Sequence, residues 1–278
     1  MQRLFLPNDR SQSNPYITGT SLVASGQDHI HLVRVMRAKV GDHVTVLDNL
    51  GGEFTATICG VERSRTLLVI NNEAAGDRRP MEAFSITVAQ ALGKGDKFET
   101  VIQHGTEAGA GAFVPIEAER CVVEFPREAA RAAEKIARWS LIAKGAAEQC
   151  GLMRIPTVCK PIGSMQLFSV SGGCAGSNQI PVVGVDEQET RGVDSELRLL
   201  LHPDEGAISL RALIEPMRVT PKRIMIAVGP EGGWSERERT AAIAGGWTHV
   251  SIGPRTLRTE TAALVAVSQL VYRFENVL

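Results

Sequence analysis

VGPEGGWSERE, Val228–Glu238, joins the end of an apolar run, Ile224–Val228, to a glycine-rich loop and then to a helix start. Ser235 with Glu238 three residues on is a capping box, which fixes the first turn of the helix. Gly229, Gly232 and Gly233 permit positive φ and close approach of a ligand to the backbone. A loop of this kind after a strand lies at the carboxyl edge of a sheet, where open α/β folds bind their ligands. Taken alone, the stretch also reads as a tight strand-to-helix turn with no ligand.

Toward the C-terminus, SIGPRTLRTETA, Ser251–Ala262, repeats the arrangement of short strand, Gly-Pro turn, irregular loop and helix. Arg255, Arg258 and Glu260 precede an apolar helix expected from about Thr261 to Phe274, with Leu264, Val267, Val271 and Phe274 on one face. Charged surface residues with Thr259 or Thr261 as N-cap would give the same pattern. Three strand-to-loop units therefore close the chain: Arg198–Gly206, Arg223–Gly233 and His249–Arg258.

Further back, Phe84–Ala91 and Ala112–Ile116 are strand-like and flank a helical face of Phe98, Val101, Ile102 and Gly105. Glu128–Cys150 reads as a long helix with Ile136, Trp139, Ala143 and Ala146 inward and Pro156 stopping its continuation. This alternation predicts an α/β domain with a mainly parallel sheet. Glycines at 163, 172, 173 and 176 break the pattern over 160–181, and part of that stretch is expected to be a flexible surface excursion. No internal repeat is present.

Residues 1–72 differ in character. Val44, Val46 and Leu47 precede the turn Asn49–Gly52, after which Phe54, Ala56 and Ile58 alternate with Thr55 and Thr57. A further run, Leu67–Ile70, follows the polar Glu62–Arg65. These signals predict a small β-barrel-like domain, joined by a polar linker over 73–82 to a second domain reaching residue 278. HIHLVRVMRAKVGD, His29–Asp42, carries Arg34, Arg37 and Lys39; the two arginines would share a face if helical. That run is either a solvated face or a contact for RNA.

Several classes of chemistry lack a motif. There is no G-x-G-x-x-G dinucleotide fingerprint, and GKGDK at Gly93–Lys97 lacks the spacing and the Ser/Thr of a phosphate loop. No Ser-His-Asp set or metal-ligand cluster is legible. Cys59, Cys121, Cys150, Cys159 and Cys174 are odd in number and have no C-x-x-C spacing, so reduced thiols are expected. The formal net charge is -1, so any RNA contact needs a local basic patch or a larger assembly. No apolar run reaches the length of a signal peptide or a membrane span, and a cytoplasmic location is expected.

Taken together, the stretches resemble the ribosomal RNA small subunit methyltransferase E family, 16S rRNA uridine N3-methyltransferases of the SPOUT superfamily. The resemblance runs through HLVRVMR at His31–Arg37, QALGKGDKFETVIQHGTEAGAGAFVPIEAERCVV at Gln90–Val123 and RWSLIAKGAAEQCGLMRIP at Arg138–Pro156. It continues through LLLHPDEG at Leu199–Gly206, GPEGG and GPRTLRTETA. Departures fall outside the two signature loops: Gly93 where members often have Pro, Ala108 where they have Leu, and Leu152 where they have Arg.

The resemblance implies a trefoil-knotted SPOUT methyltransferase domain behind a PUA-like RNA-binding β-barrel, working as a homodimer. It implies S-adenosyl-L-methionine held by Leu201, His202, Gly229, Pro230, Glu231, Gly232, Gly233, Ile252, Gly253 and Leu257. Its substrate would be 16S rRNA or the assembled small subunit, bound through Arg34, Arg37 and Lys39. Arg258 would stabilise the uracil anion, with Arg34 or Arg37 the next candidates. Glu260 would be the base or would hold an arginine in place, and no metal is required. Two alternatives share these motifs: a SPOUT methyltransferase on another RNA, and a non-catalytic RNA-binding ribosome-assembly factor.

Overall fold

The computed structural model describes residues 3–6, 16–73, 84–169, 196–204 and 206–275. The expected linker at 73–82 and residue Cys174 lie, but for Glu73, outside them. Two compact units emerge: Met1–Pro80 with Ala147–Ile155, and Met81–Ala146 with Pro156–Leu278.

In the first unit β1 (Arg3–Phe5), β2 (Ser21–Ser25), β3 (His43–Leu47), β4 (Glu53–Val61) and β5 (Arg65–Glu73) form one sheet in the order β1-β3-β4-β5-β2. The β3–β4 hairpin turns where expected. Asn49 and Gly51 adopt φ of 61° and 105°, and Asp48 Oδ1 accepts from the N–H groups of Leu50 and Gly52 at 2.7 and 2.8 Å. Alternation along β4 points Phe54, Ala56 and Ile58 into a core with Leu4, Leu32, Val46, Leu68 and Ile70.

Between β2 and β3, helix α1 (Gly26–Ile30) runs into a π-type turn over His31–Val35. Arg37 then takes φ 54°, and the Ala38 N–H closes on the Leu32 carbonyl at 3.0 Å. The left-handed residue ends the helix. Arg34 and Arg37 are therefore not neighbours on one helical face, although both are exposed, as is Lys39.

The second unit is built on a parallel sheet. Its strands are β6 (Ser85–Ala91), β7 (Ala112–Glu117), β8 (Thr157–Val158), β9 (Ile162–Gly163), β10 (Glu196–Leu201), β11 (Ile208–Ser209), β12 (Arg223–Val228) and β13 (Thr248–Ser251). The order is β11-β13-β10-β12-β6-β7-β8, with β9 also on β7. Helix α2 (Lys97–Glu107) buries Phe98, Val101, Ile102 and Gly105, the face read from the sequence. Helix α3 (Ala129–Cys150) ends at Gly151, φ 79°, rather than being stopped by Pro156. Within the stretch 160–181, helix α4 (Ser164–Ser169) buries Leu167 and Phe168, an apolar pair too short to show a period; residues 170–181, where the rest of the expected excursion falls, lie outside the described residues.

One sheet face, with Ala89, Val114, Leu200 and Ala227, packs against Phe168, Trp234, Ala242 and Trp247. Phe168 meets both indoles edge-on, with centroids at 5.3 and 5.5 Å. Helix α5 (Leu210–Ile214) and helix α6 (Glu236–Ala244) complete this half of the chain, and α7 (Thr259–Phe274) packs on α2, β6 and β12.

Gly245 closes α6 directly against the carbonyl oxygen of Phe168, where a methyl group would overlap it. Gly245→Ala should cost about 1–3 kcal/mol, the scale of overpacking. Urea unfolding followed by tryptophan fluorescence measures it; an unchanged midpoint would show that the α4–α6 contact yields freely.

Candidate functional site

Parallel strands send all their carboxyl ends to one edge. Five loops gather there: 92–96 after β6, 118–121 after β7, 202–204 after β10, 229–235 after β12 and 252–258 after β13. Register places Leu201 beside Val228 and beside Val250, so the three expected cofactor loops leave adjacent strands at the same level.

The glycines divide by role. Gly233 and Gly253 have φ of 69° and 150°, and no heavy atom lies within 4 Å of where a Cβ on Gly253 would sit. Gly229 and Gly232, expected to exploit positive φ, do not adopt it. Gly229 is instead covered by the Trp234 indole, 3.1 Å from where its Cβ would be, and Gly232 lies against Arg120. The Gly233 N–H donates to the Pro230 carbonyl at 2.8 Å, folding Pro230–Gly233 into a turn.

Three side chains hold this loop. Trp234, 2% exposed, donates Nε1–H to the Leu201 carbonyl at 3.2 Å and so ties the loop to the end of β10. Arg120 donates to the Gly232 carbonyl at 2.9 Å. Glu238 forms the capping box expected from the sequence: one oxygen accepts from the Ser235 N–H at 2.8 Å, and Ser235 Oγ accepts from the Glu238 N–H at 3.1 Å. The other oxygen accepts from the Glu119 N–H at 2.9 Å, a partner no local motif reveals.

The stretch Gly93–Lys97, set aside in the sequence as a broken phosphate motif, ends in Lys97, the first residue of α2. Its ammonium is hydrogen-bonded to Glu231, which raises the Lys97 pKa and lowers that of Glu231. Glu260 and Arg258 also act on Lys97 electrostatically. Arg258 is the exposed N-cap residue of α7, which starts two residues before the expected Thr261; Glu260 accepts from Thr259 Oγ1 at 3.2 Å.

His202 stacks on His249, with ring centroids 5.3 Å apart, and Asp204 lies beside both. Burial is the largest cause that lowers the His202 pKa; Arg239, His249 and Arg120 add to it and Asp204 opposes it. The His-Asp-His grouping was not legible because β10 and β13 are far apart in sequence. Ile252 and Leu257 are half-buried beside Gly253, and Ile252 offers its carbonyl to Gln269 at 3.2 Å.

A model of the RNA methyltransferase domain matches residues 80–271, and one of the RNA methyltransferase PUA domain matches residues 30–70. This chain belongs to the RNA methyltransferase family. Ribosomal RNA small subunit methyltransferase E of Bacillus subtilis is 31% identical to this methyltransferase over 99% of the chain and 98% of its own length. The crystal structure of a ribosomal RNA small subunit methyltransferase E from Neisseria gonorrhoeae, bound to S-adenosyl methionine, matches with a TM-score of 0.76 and 28% identity. That match covers 98% of this chain and 97% of the neighbour. A Legionella pneumophila chain described as a methyltransferase with bound cofactor matches at 0.77 and 29%, over 97% and 96%.

The methyltransferase edge described above fits that cofactor. Gly253 leaves open the space a side chain would fill, Gly233 holds a left-handed turn against His202, and the loops offer backbone groups. S-adenosylmethionine would be held there by the loops after β10, β12 and β13.

Glu238 is fully buried and serves two N–H donors, one from each of two loops. Glu238→Gln replaces one accepting oxygen by a donor, leaving one N–H facing another. The expected loss is about 1.5–3 kcal/mol, as for hydrogen bonds to charged groups. Chemical denaturation would show it, together with faster hydrogen exchange at Glu119 and Ser235; unchanged stability and exchange would remove Glu238 as the link.

Proposed function

We propose that this methyltransferase transfers a methyl group from S-adenosyl-L-methionine to N3 of a uridine in 16S rRNA of the small ribosomal subunit. The observation that carries this reading is the gathering of the glycine loops with Lys97, Arg258 and Glu260 at one sheet edge. The names of the Bacillus and Neisseria relatives support the substrate, and the intact loops favour an enzyme over a non-catalytic assembly factor.

When bound, the cofactor supplies a methyl group made electrophilic by its sulfonium. The protein's task is to supply the uridine as its N3 anion, in line with that methyl. Arg258, a fixed positive charge at the α7 N-terminus, lowers the energy of the anion. Lys97 is kept protonated by Glu231, so it adds positive charge and does not act as a base. Glu260, which shares this charged surroundings, takes the N3 proton or passes it to water.

RNA is held by Arg34, Arg37 and Lys39, exposed and interspersed with exposed Val35, Met36 and Val40. A local patch of this kind serves a chain whose net charge is only -1. The protein acts as a homodimer; the outward face of α7, with Tyr272 88% exposed, supports that state. We assign it to the cytoplasm with its substrate; among the described residues no helix is long and apolar enough to cross a membrane. We also infer that the C-terminal segment is threaded as a trefoil knot. β13 and β12 lie on opposite sides of β10, yet α7, which follows β13, packs on β12 and β6, and this return past β10 supports the threading.

Arg258→Ala should lower the single-turnover methylation rate about a hundredfold, the scale of losing one anion-stabilising donor. Cofactor affinity should fall much less, and raising the pH should partly restore the rate by supplying uridine anion. A variant whose only defect is cofactor affinity would make Arg258 structural.

Replacing Arg34 and Arg37 together by Ala should weaken RNA binding and flatten its salt dependence, because fewer counterions are released. Filter binding across a salt series reads this. An unaltered slope would leave the basic stretch as surface only.

A further inference from the structure

His202 and His249 are 47 residues apart, but β10 and β13 are parallel neighbours with Leu201 paired to Val250. That register brings the two imidazoles face to face at an interplanar angle of 25°. Asp204, in the loop after β10, presents Oδ1 3.5 Å from His249 Nε2 and Oδ2 3.7 Å from His202 Nε2. One ligand atom from each residue can be chosen so that all lie within 4.8 Å of one another.

Two imidazoles and a carboxylate are a donor set for zinc-class divalent ions. Bonds of about 2.0–2.1 Å in a tetrahedron put ligand atoms roughly 3.3 Å apart. Asp204 Oδ1 stands 3.5 Å from His249 Nε2, near that spacing, and rotation of the His202 and Asp204 side chains would bring the third ligand atom in from within 4.8 Å. The side chains are part-exposed, at 21%, 30% and 14%, which leaves a coordination position open to water.

Three existing contacts bear on the site. Arg239 donates to Asp204 Oδ2 at 2.8 Å and the Gly206 N–H donates to Asp204 Oδ1 at 3.0 Å, so each carboxylate oxygen has one partner and keeps its other lone pair for an ion. Arg239 is also bonded to Glu236, so its charge has a second partner. His249 Nε2 is 2.9 Å from the His202 carbonyl, a hydrogen bond that an ion would replace.

We propose that His202, Asp204 and His249 form a binding site for a zinc-class divalent cation beside the cofactor loops. The site shares the loop after β10 with the cofactor but gives no group to the methyl-transfer step itself. Its influence would run through His202, whose ring lies 3.5 Å from where a Cβ of Gly233 would be. An ion that fixes that ring also fixes the wall of the glycine turn.

The test is titration of the full-length, cofactor-free protein with Co2+ alone, followed by visible absorption and by thermal unfolding. Wild type should bind one equivalent at micromolar concentration, give d–d bands without thiolate charge-transfer bands, and rise in Tm as the ion binds the folded state. His249→Gln keeps a donor for the His202 carbonyl while removing the ring, and should weaken binding at least tenfold with little change in ion-free Tm. Asp204→Asn should also weaken binding at least tenfold, and decides the matter if His249→Gln fails to fold. His104→Gln, at an exposed His–Glu pair elsewhere, should bind as wild type does. Equal affinity in wild type and the site variants, thiolate bands from the exposed Cys59 or Cys150, or no binding at millimolar Co2+ would overturn the proposal.

Discussion

Glu238 is fully buried, and its two oxygens take N–H donors from two different loops of the sheet edge. Through Ser235 it sets the start of α6 and therefore the end of the glycine loop; through Glu119 it fixes the loop after β7, from which Arg120 reaches the Gly232 carbonyl. A buried carboxylate is costly unless its acceptors are used, so this geometry is specified narrowly. Trp234 fixes the same loop from the other side, by its bond to Leu201 and its cover over Gly229. What the glycines permit, these two side chains select.

Much of this was legible because periodicity and local motifs survive in sequence. The apolar run of β12, the capping box and the inward face of α2 all involve residues within a few positions of one another, and each formed as read. Contacts made by the fold left no such trace. Glu119 and Glu238 are 119 residues apart, and Lys97 and Glu231 are 134 apart. Lys97 sits in a stretch that is uninformative until strand order sets β6 beside β12. The positive φ that Gly229 and Gly232 permit is not used, for a related reason: lack of a Cβ there makes room for Trp234 and Arg120, not for a left-handed turn. The π-type turn and left-handed Arg37 escaped because no residue type marks them.

Charge is distributed with the same locality. With near-equal numbers of acids and bases, the chain has no overall attraction for a polyanion. Cations gather in two places: Arg34, Arg37 and Lys39 on the first unit, and Lys97, Arg120 and Arg258 at the sheet edge of the second. Glu231 and Glu260 moderate the second group, so that positive charge is held in position without accumulating.

The most direct test of uridine N3 methylation is product analysis. Small ribosomal subunits from a strain lacking this chain are incubated with purified protein and methyl-labelled S-adenosylmethionine, and the digested RNA is resolved by mass spectrometry. One labelled N3-methyluridine per 16S rRNA is the expected result. Label on another base, on a ribose or on no nucleoside at all would contradict it.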